Sequence, residues 1–561
     1  MDKGVGMAST DLIRDAVDAA SDQRYPDTSA QPARFALVLN ALDDPVARAQ
    51  AIAGVLEPIG ATIEPLSTLD REVLVATFPD RAFAGPNGAA FAAAHRFQEV
   101  FDLEAAEPDL PTDLFPDDIV PDEFVDEDAE GFPAECWAPA EASLPAAWAI
   151  TSITAPEAWT FSQANQRPAR GAGTIVAQPD TGITAHAELA DISVVPGFDV
   201  LDNDADPTDP LDGANPGHGT ATASVVVSGP AGTVTGSAPG ASLMAIRAVE
   251  SVFRITQVSV ARAIDWAVDH GAHVITMSLG GIFSFTLHRA LRRAVNADVI
   301  VLAAAGNCIG LVVWPARFDE CIAVAGVDIR DAKWRGSCSG AAVDISAPAE
   351  NVWRATVPNG SGQGQGTSFA VALAAGTAAL WLSHHGRANL IGAARARGET
   401  LQDMFRRMAG ATARRPSGWD SFSMGAGIVD AHALLSATNF DLDRDRESAA
   451  APAGLRESAA LGVASLAAEE IGPAGALQDP PDWYRHGPEL SWLLLQGRRD
   501  LRPDGVLVRT TPDDQRVPSR DLDNAVSNSV LRDAVGLGGA ETEAGPGVGA
   551  EVGTWVEGGG R

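Results

Sequence analysis

Between residues 144 and 437 the sequence repeats one alternation: a short, almost wholly apolar run, then a longer stretch whose apolar residues recur with helical spacing. The short runs fall at 174–177, 242–248, 273–277 and 298–304. A strand without a polar face must be covered on both sides, so these runs specify a parallel sheet between two layers of helices. The helices can be read in the same way. Val260, Ile264, Ala267 and Val268 precede a stop at Gly271, and a second helical pattern occupies 285–295. The expected fold class is α/β, a parallel sheet with helices on both faces. Folds of this kind collect their chemistry where strands end and helices begin.

Three segments at such points carry an acid, a base and a nucleophile in chain order: Asp180-Thr181-Gly182-Ile183, Pro216-Gly217-His218-Gly219-Thr220 and Gly366-Thr367-Ser368-Phe369-Ala370. Peptide-bond hydrolysis needs those three groups, together with donors aimed at the oxyanion. Ser368 opens an apolar helical stretch, where free backbone amides and the positive end of the helix dipole face the reacting carbonyl. The glycines around His218 let its backbone come close, and Asp180 would hold the imidazole in one tautomer. Asn307, in Ala305-Gly306-Asn307 after a buried strand, offers a side-chain amide as oxyanion donor. Each segment alone has a plainer reading. Asp-Thr-Gly also occurs in aspartic proteases, although no second copy is present here; Gly-Thr-Ser is a helix-capping turn, and Asn after Gly is a turn residue. His186, His270, His273 and His288 receive the plainer reading, as exposed or structurally satisfied side chains.

Taken together, the four segments resemble the subtilase family of serine peptidases over 144–437, a span ending in Gly425-Ala426-Gly427-Ile428-Val429-Asp430-Ala431. The resemblance implies a subtilisin-like fold and catalysis by Asp180, His218 and Ser368 with Asn307. It implies a substrate-binding edge at Ser278, Leu279, Gly280 and Gly281, where a peptide adds as an extended strand. It also implies a specificity pocket built from Val313 and Trp314 that favours an apolar residue before the scissile bond. The chain departs from the family pattern after the nucleophile, with Phe369 in place of Met and Ala372 where proline is expected.

Residues 34–107 read as strand, helix, two strands, helix and a last strand near 100–103, the βαββαβ order of a small ferredoxin-like α+β domain. In outline and position this resembles a subtilase propeptide, which implies a zymogen whose own propeptide is an intramolecular inhibitor. Residues 108–143 are rich in Asp, Glu and Pro and read as an acidic linker. Residues 1–33 read as a disordered extension and 438–561 as a low-order tail, with short helices at 490–496 and 526–535.

The formal net charge of -34 argues against nucleic acid as a partner, since phosphate backbones recruit Lys and Arg clusters. The partners expected are a protein or peptide substrate and the propeptide. No membrane span is expected: the apolar stretch 369–382 is short for a bilayer and reads as a buried helix. Asp11, Arg14, Asp15 and Asp18 interrupt the first twenty residues, so no leader peptide is visible, favouring the cytoplasm or export by another route. Of the four cysteines, Cys136, Cys308, Cys321 and Cys338, the pair Cys308 and Cys321 reads either as a bridge or as buried free thiols. The chemistry calls for no cofactor. Asp202, Asp204 and Asp206 read either as a solvated acidic loop or as a Ca²⁺ site serving stability. Two rival functions remain beside general proteolysis: a catalytically silent peptide-binding scaffold, and a processing protease for one partner.

Overall fold

Eight strands of the central region join in one sheet in a computed structural model that describes residues 3–23, 31–84, 87–113, 144–440 without 214 and 253, 455–476, 479–499, 517–535 and 537. Its main path runs Phe198–Asp199, Ser242–Arg247, Ile175–Asp180, Val274–Met277, Ile300–Ala304, Ile322–Val327 and Ile345–Pro348, with Ser193–Val194 paired to Ser242–Arg247 at one edge. Every pairing in this sheet is parallel. The strand Ile300–Ala304 is buried at all five positions and Ile322–Val327 at all six, as expected of strands covered on both faces.

One face is closed by the helices Gln257–Asp269 and Phe285–Asn296, the other by His218–Val227 and the central helix Thr367–His385. The central helix is the one described helix long and apolar enough to cross a membrane, and it is buried inside the fold. It starts at Thr367 and runs unbroken through Ala372, so proline is not needed to begin it.

The segment before it follows the βαββαβ order, with an antiparallel sheet of Thr62–Pro65, Val73–Phe78, Ala33–Val38 and Ala105–Pro108 and the helices Pro45–Leu56 and Asn87–Phe101. Asp44 caps the first helix by accepting from Val46 N and Ala47 N, with Pro45 in its first turn. The last strand lies beyond 100–103, because the helix continues to Phe101 and the chain turns at Asp102, whose φ is 50°. Pro108 is tolerated there because Ala105–Pro108 is an edge strand.

Among the described residues two expectations of low order are corrected, while the helices expected at 490–496 and 526–535 fall on Gly487–Arg499 and Ser529–Ala534. Lys3–Ala20 is a helix that packs on Asn87–Phe101, burying Ile13, Val17 and Ala20 at helical spacing while Asp11, Asp15 and Asp18 stay exposed. In the tail, the helices Leu455–Ile471, Gly487–Arg499, Arg520–Ala525 and Ser529–Ala534 join the main core through Val463, Leu466, Leu490, Leu493, Leu522 and Leu531. The tail touches both flanking units. Arg317 makes a two-point ion pair with Glu469 at 3.0 and 2.9 Å, Phe283 N donates to Ser491 Oγ at 3.1 Å, and Trp492 packs on Phe91. The acidic linker expected at 108–143 lies largely outside the described residues.

The α+β unit rests on the two helices of its face through polar contacts at their N-termini. Buried Glu107 accepts from Ser284 Oγ, Phe285 N, Thr286 N and Thr286 Oγ1 at 2.7–3.1 Å, and Asp109 Oδ1 accepts from Val258 N at 3.0 Å. Carboxylates placed there meet free amides and the positive helix end. Burial nevertheless pushes the Glu107 pKa up, against the lowering effect of its donors. Asp70 binds Arg289 at 3.0 Å and also pairs with Arg293.

Candidate active site

The strand Ile175–Asp180 delivers Asp180 to the carboxyl edge of the sheet, and the helix His218–Val227 presents His218 at its first position. Ser368 is the second residue of the central helix. The structure brings the three together. Asp180 Oδ1 lies 2.8 Å from His218 Nδ1, and His218 Nε2 lies 3.3 Å from Ser368 Oγ. An ionised carboxylate can only accept, so Nδ1 donates to Asp180 and the Nε2 lone pair faces the serine hydroxyl. Asp180 is 1% exposed and Ser368 is 8% exposed. The aspartate is further fixed by Thr181 N at 2.8 Å on Oδ1 and Thr222 Oγ1 at 3.2 Å on Oδ2.

Asn307 stands beside Ser368 with its amide already oriented. Its Oδ1 accepts from Thr367 N at 2.9 Å and Thr367 Oγ1 at 2.8 Å, which leaves Nδ2 as a donor for a ligand. The backbone N–H of Ser368 belongs to the first turn, whose donors the helix itself does not use. Asn307, Thr367 and Ser368 line one cleft of about 340 Å³ together with Val252, Ser278, Leu279, Gly280, Ala304, Gly306, Ile309 and Val313. Most of this lining is apolar.

Three of the four edge residues, Ser278, Leu279 and Gly280, line that cleft, and Ser278 Oγ also donates to Ser368 O at 3.0 Å. A Cβ on Gly280 would lie 2.7 Å from Val313 Cγ2, so glycine keeps the cleft open there. Gly281 instead pairs with Trp314, its N donating to Trp314 O at 2.7 Å. Val313 lines the cleft but Trp314 does not. The indole is fully buried behind it, against Phe283 and Phe318, which corrects its expected place in the specificity pocket.

Asp202, Asp204 and Asp206 are exposed and engaged locally. Arg247 binds Asp199 at 2.6 Å and Asp202 at 2.8 Å, Asp204 Oδ1 accepts Asp206 N, and Asp206 Oδ1 accepts Thr208 N and Oγ1. Among the described residues these carboxylates do not converge on a metal-sized centre. Asp209 has a different role that its acidic neighbourhood concealed. It is buried, and its Oδ2 accepts from Thr181 Oγ1 at 2.7 Å and Gly217 N at 2.9 Å, while Thr181 Oγ1 accepts from Gly219 N at 3.1 Å. These bonds tie the turn bearing Asp180 to the start of the helix bearing His218. Gln178 Nε2 adds bonds to Gly219 O at 2.7 Å and Thr222 Oγ1 at 2.8 Å.

The four histidines given the plainer reading are structurally occupied: His186 contacts Thr356 O, His270 Trp266 O, His273 Ile175 N and His288 Glu320. Cys308 is disulfide-bonded, but not to Cys321, which with Cys338 is a buried free thiol; Cys136 lies outside the described residues. Burial pushes the thiol pKa of Cys321 upward and that of Cys338 to about 11.

The model of the subtilase family matches residues 171–427. Thermitase of Thermoactinomyces vulgaris is 36% identical over 231 residues, covering 40% of this chain and 81% of thermitase. Subtilisin Savinase of Lederbergia lenta is 33% identical over 240 residues, 42% of this chain and 82% of its own. Subtilisin DY of Bacillus licheniformis is 35% identical over 223 residues, 38% and 79%. The chain belongs to the subtilase family and is a serine endopeptidase.

Proposed function

We propose that peptide bonds are cut through an acyl-enzyme on Ser368, with His218 as general base and then general acid. The observation that carries this is His218 held between Asp180 at 2.8 Å and Ser368 at 3.3 Å, beside an asparagine amide free to donate. Ser368 Oγ attacks the carbonyl carbon as its proton passes to His218 Nε2, and the oxyanion accepts from Asn307 Nδ2 and Ser368 N. Collapse breaks the C–N bond, the amine leaves with the proton from His218, and water repeats the sequence on the ester. Asp180 stabilises the imidazolium throughout. No cofactor enters these steps; Ca²⁺ on the Asp202, Asp204 and Asp206 loop would act on stability alone, and added Ca²⁺ that leaves the melting temperature unchanged dismisses it.

The substrate is a protein or peptide, bound as an added strand with an apolar side chain before the scissile bond, in the cleft of Leu279, Ala304 and Val313. We further propose that the ferredoxin-like unit is an intramolecular inhibitor and that the enzyme is made as a zymogen. Supporting this, Thr112–Asp113 pairs antiparallel with Arg254–Ile255, next to Val252 of the cleft, as a substrate strand would. Maturation would then cut within 114–143. A fluorophosphonate probe applied to the protein and to Ser368→Ala tests both parts. Labelling of the unsubstituted chain alone, on a band shortened by the inhibitor, is expected. Absence of labelling after limited proteolysis of the linker would favour the silent scaffold instead.

A further inference from the structure

The ferredoxin-like unit and the C-terminal segment meet around two histidines and a glutamate that take no part in the reaction. His95 lies on the helix Asn87–Phe101, and His486 and Glu489 stand at the start of the helix Gly487–Arg499. All three are deeply buried, at 4%, 4% and 1% exposure. One donor atom from each lies within 4.8 Å of the other two. Both ring nitrogens of His95 and Nδ1 of His486 have no hydrogen-bond partner. Buried polar atoms without partners are rare, and three at one point call for an explanation.

The carboxylate is already aimed. Glu489 accepts from Ser519 N and Ser519 Oγ, at 2.5 and 2.8 Å, while its Oε2 stands 3.8 Å from His95 Nε2, too far for a hydrogen bond. Such outer bonds orient a metal-binding carboxylate. An adjoining cleft, lined by His95 and Glu489 with Phe91, Ala94, Ala106 and Pro488, has space for about one water as a fourth ligand. Arg485, also at its edge, is turned to Glu99 at 3.5 Å.

We propose that His95, His486 and Glu489 are a binding site for a divalent cation of the zinc class, which clasps the ferredoxin-like unit to the C-terminal segment. Two imidazoles and one carboxylate suit Zn²⁺ and its neighbours, whereas Ca²⁺ and Mg²⁺ require oxygen ligands. Ligand bonds of about 2.0–2.2 Å set tetrahedral donor atoms roughly 3.4 Å apart, so the three side chains need draw in by only about an ångström. Water completes the coordination. The site is assembled only while both segments are in place, so binding the ion and holding the inhibitor unit are linked.

The test uses the full-length Ser368→Ala chain, which cannot cut itself, stripped with a chelator and titrated with Zn²⁺ against a chromophoric competitor. One equivalent per chain is expected, with a raised melting temperature, no such response to Ca²⁺, and an absorption spectrum of tetrahedral type when Co²⁺ replaces Zn²⁺. His95→Phe and Glu489→Gln should each weaken binding about 100-fold or more. Glu489→Gln keeps an acceptor for Ser519, so it carries the comparison if His95→Phe does not fold. A folded protein that takes up no equivalent, or variants that bind Zn²⁺ as tightly as the parent, would overturn the proposal.

Discussion

Gly219→Ala is the substitution whose effect follows most directly from the geometry. A Cβ at Gly219 would stand 2.0 Å from Gly182 O and 3.3 Å from Asp180 Cβ. Atoms of these kinds do not approach within 3.0 Å, so the turn bearing Asp180 and the helix bearing His218 must part by about 1 Å. Backbone is on both sides of the clash, and no rotamer relieves it. The displacement falls on the 2.8 Å bond between Asp180 and His218. A misplacement of about 1 Å in a catalytic array costs on the order of 10²-fold, and loss of the aspartate's hold on the tautomer about 10⁴-fold. The expected fall in kcat/KM is therefore about 10²- to 10⁴-fold, or roughly 2.7 to 5.5 kcal/mol of transition-state stabilisation. Overpacking should cost only about 1–3 kcal/mol of stability, so the variant should fold. The assay is hydrolysis of a chromogenic peptide with an apolar residue before the scissile bond, beside a thermal melt. Gly229→Ala, where an added Cβ meets nothing within 4 Å, is the control. Activity within about threefold of the parent in folded Gly219→Ala would show that the two segments are not tightly coupled, and the argument would fail.

Asn307→Ala should lower kcat by about 10²- to 10³-fold with little change in KM, a magnitude carried over from subtilisin and not worked out from this cleft; steady-state kinetics decide it. Gly280→Ala pushes a methyl toward Val313 Cγ2, 2.7 Å away, and should shift preference from large apolar residues toward Ala before the scissile bond, read as a ratio of kcat/KM values. Burial lowers His273 and His385 to pKa values of about 4, while an unfolded histidine titrates near 6.5. The unfolded chain therefore binds more protons between those values, so their stabilising contribution is complete above about pH 6.5 and is lost as pH falls toward 4. Melting temperatures of Ser368→Ala across that range should decline, and less steeply in His273→Asn; identical slopes would rule out His273 as a source.

The sheet was legible because strands buried on both faces announce themselves by composition alone, as 300–304 does. The proposed triad was legible because each of Asp180, His218 and Ser368 has glycines or a helix start beside it, and those leave a mark in the local sequence. Asp209 left none: its bonds to Thr181 and Gly217 join separate loops, and in sequence it is one acid among several. Val313 and Trp314 show a second limit. Adjacent residues in an extended segment face opposite ways, and nothing in the sequence said which one faced the cleft. In the tail, Leu490, Leu493 and Leu494 already had helical spacing, but Ala, Gly and Pro around them masked a helix whose neighbours, Phe91 of the α+β unit and Phe283 of the central region, are far away in sequence. The N-terminal helix was missed for a related reason, since the same acidic residues that argued against a leader peptide form its exposed face.

The central helix sets the terms on which this enzyme can lose activity. Every residue from Thr367 to His384 is buried, and Ser368 sits in the first turn. Backbone amides in the body of such an element exchange with solvent only when the whole domain opens. The proposed nucleophile, Ser368, is thus carried by the first turn of this buried helix, not by a loop that can fray by itself. Heating should leave no folded but disarmed population: loss of probe labelling at Ser368 and loss of the fold should follow one curve.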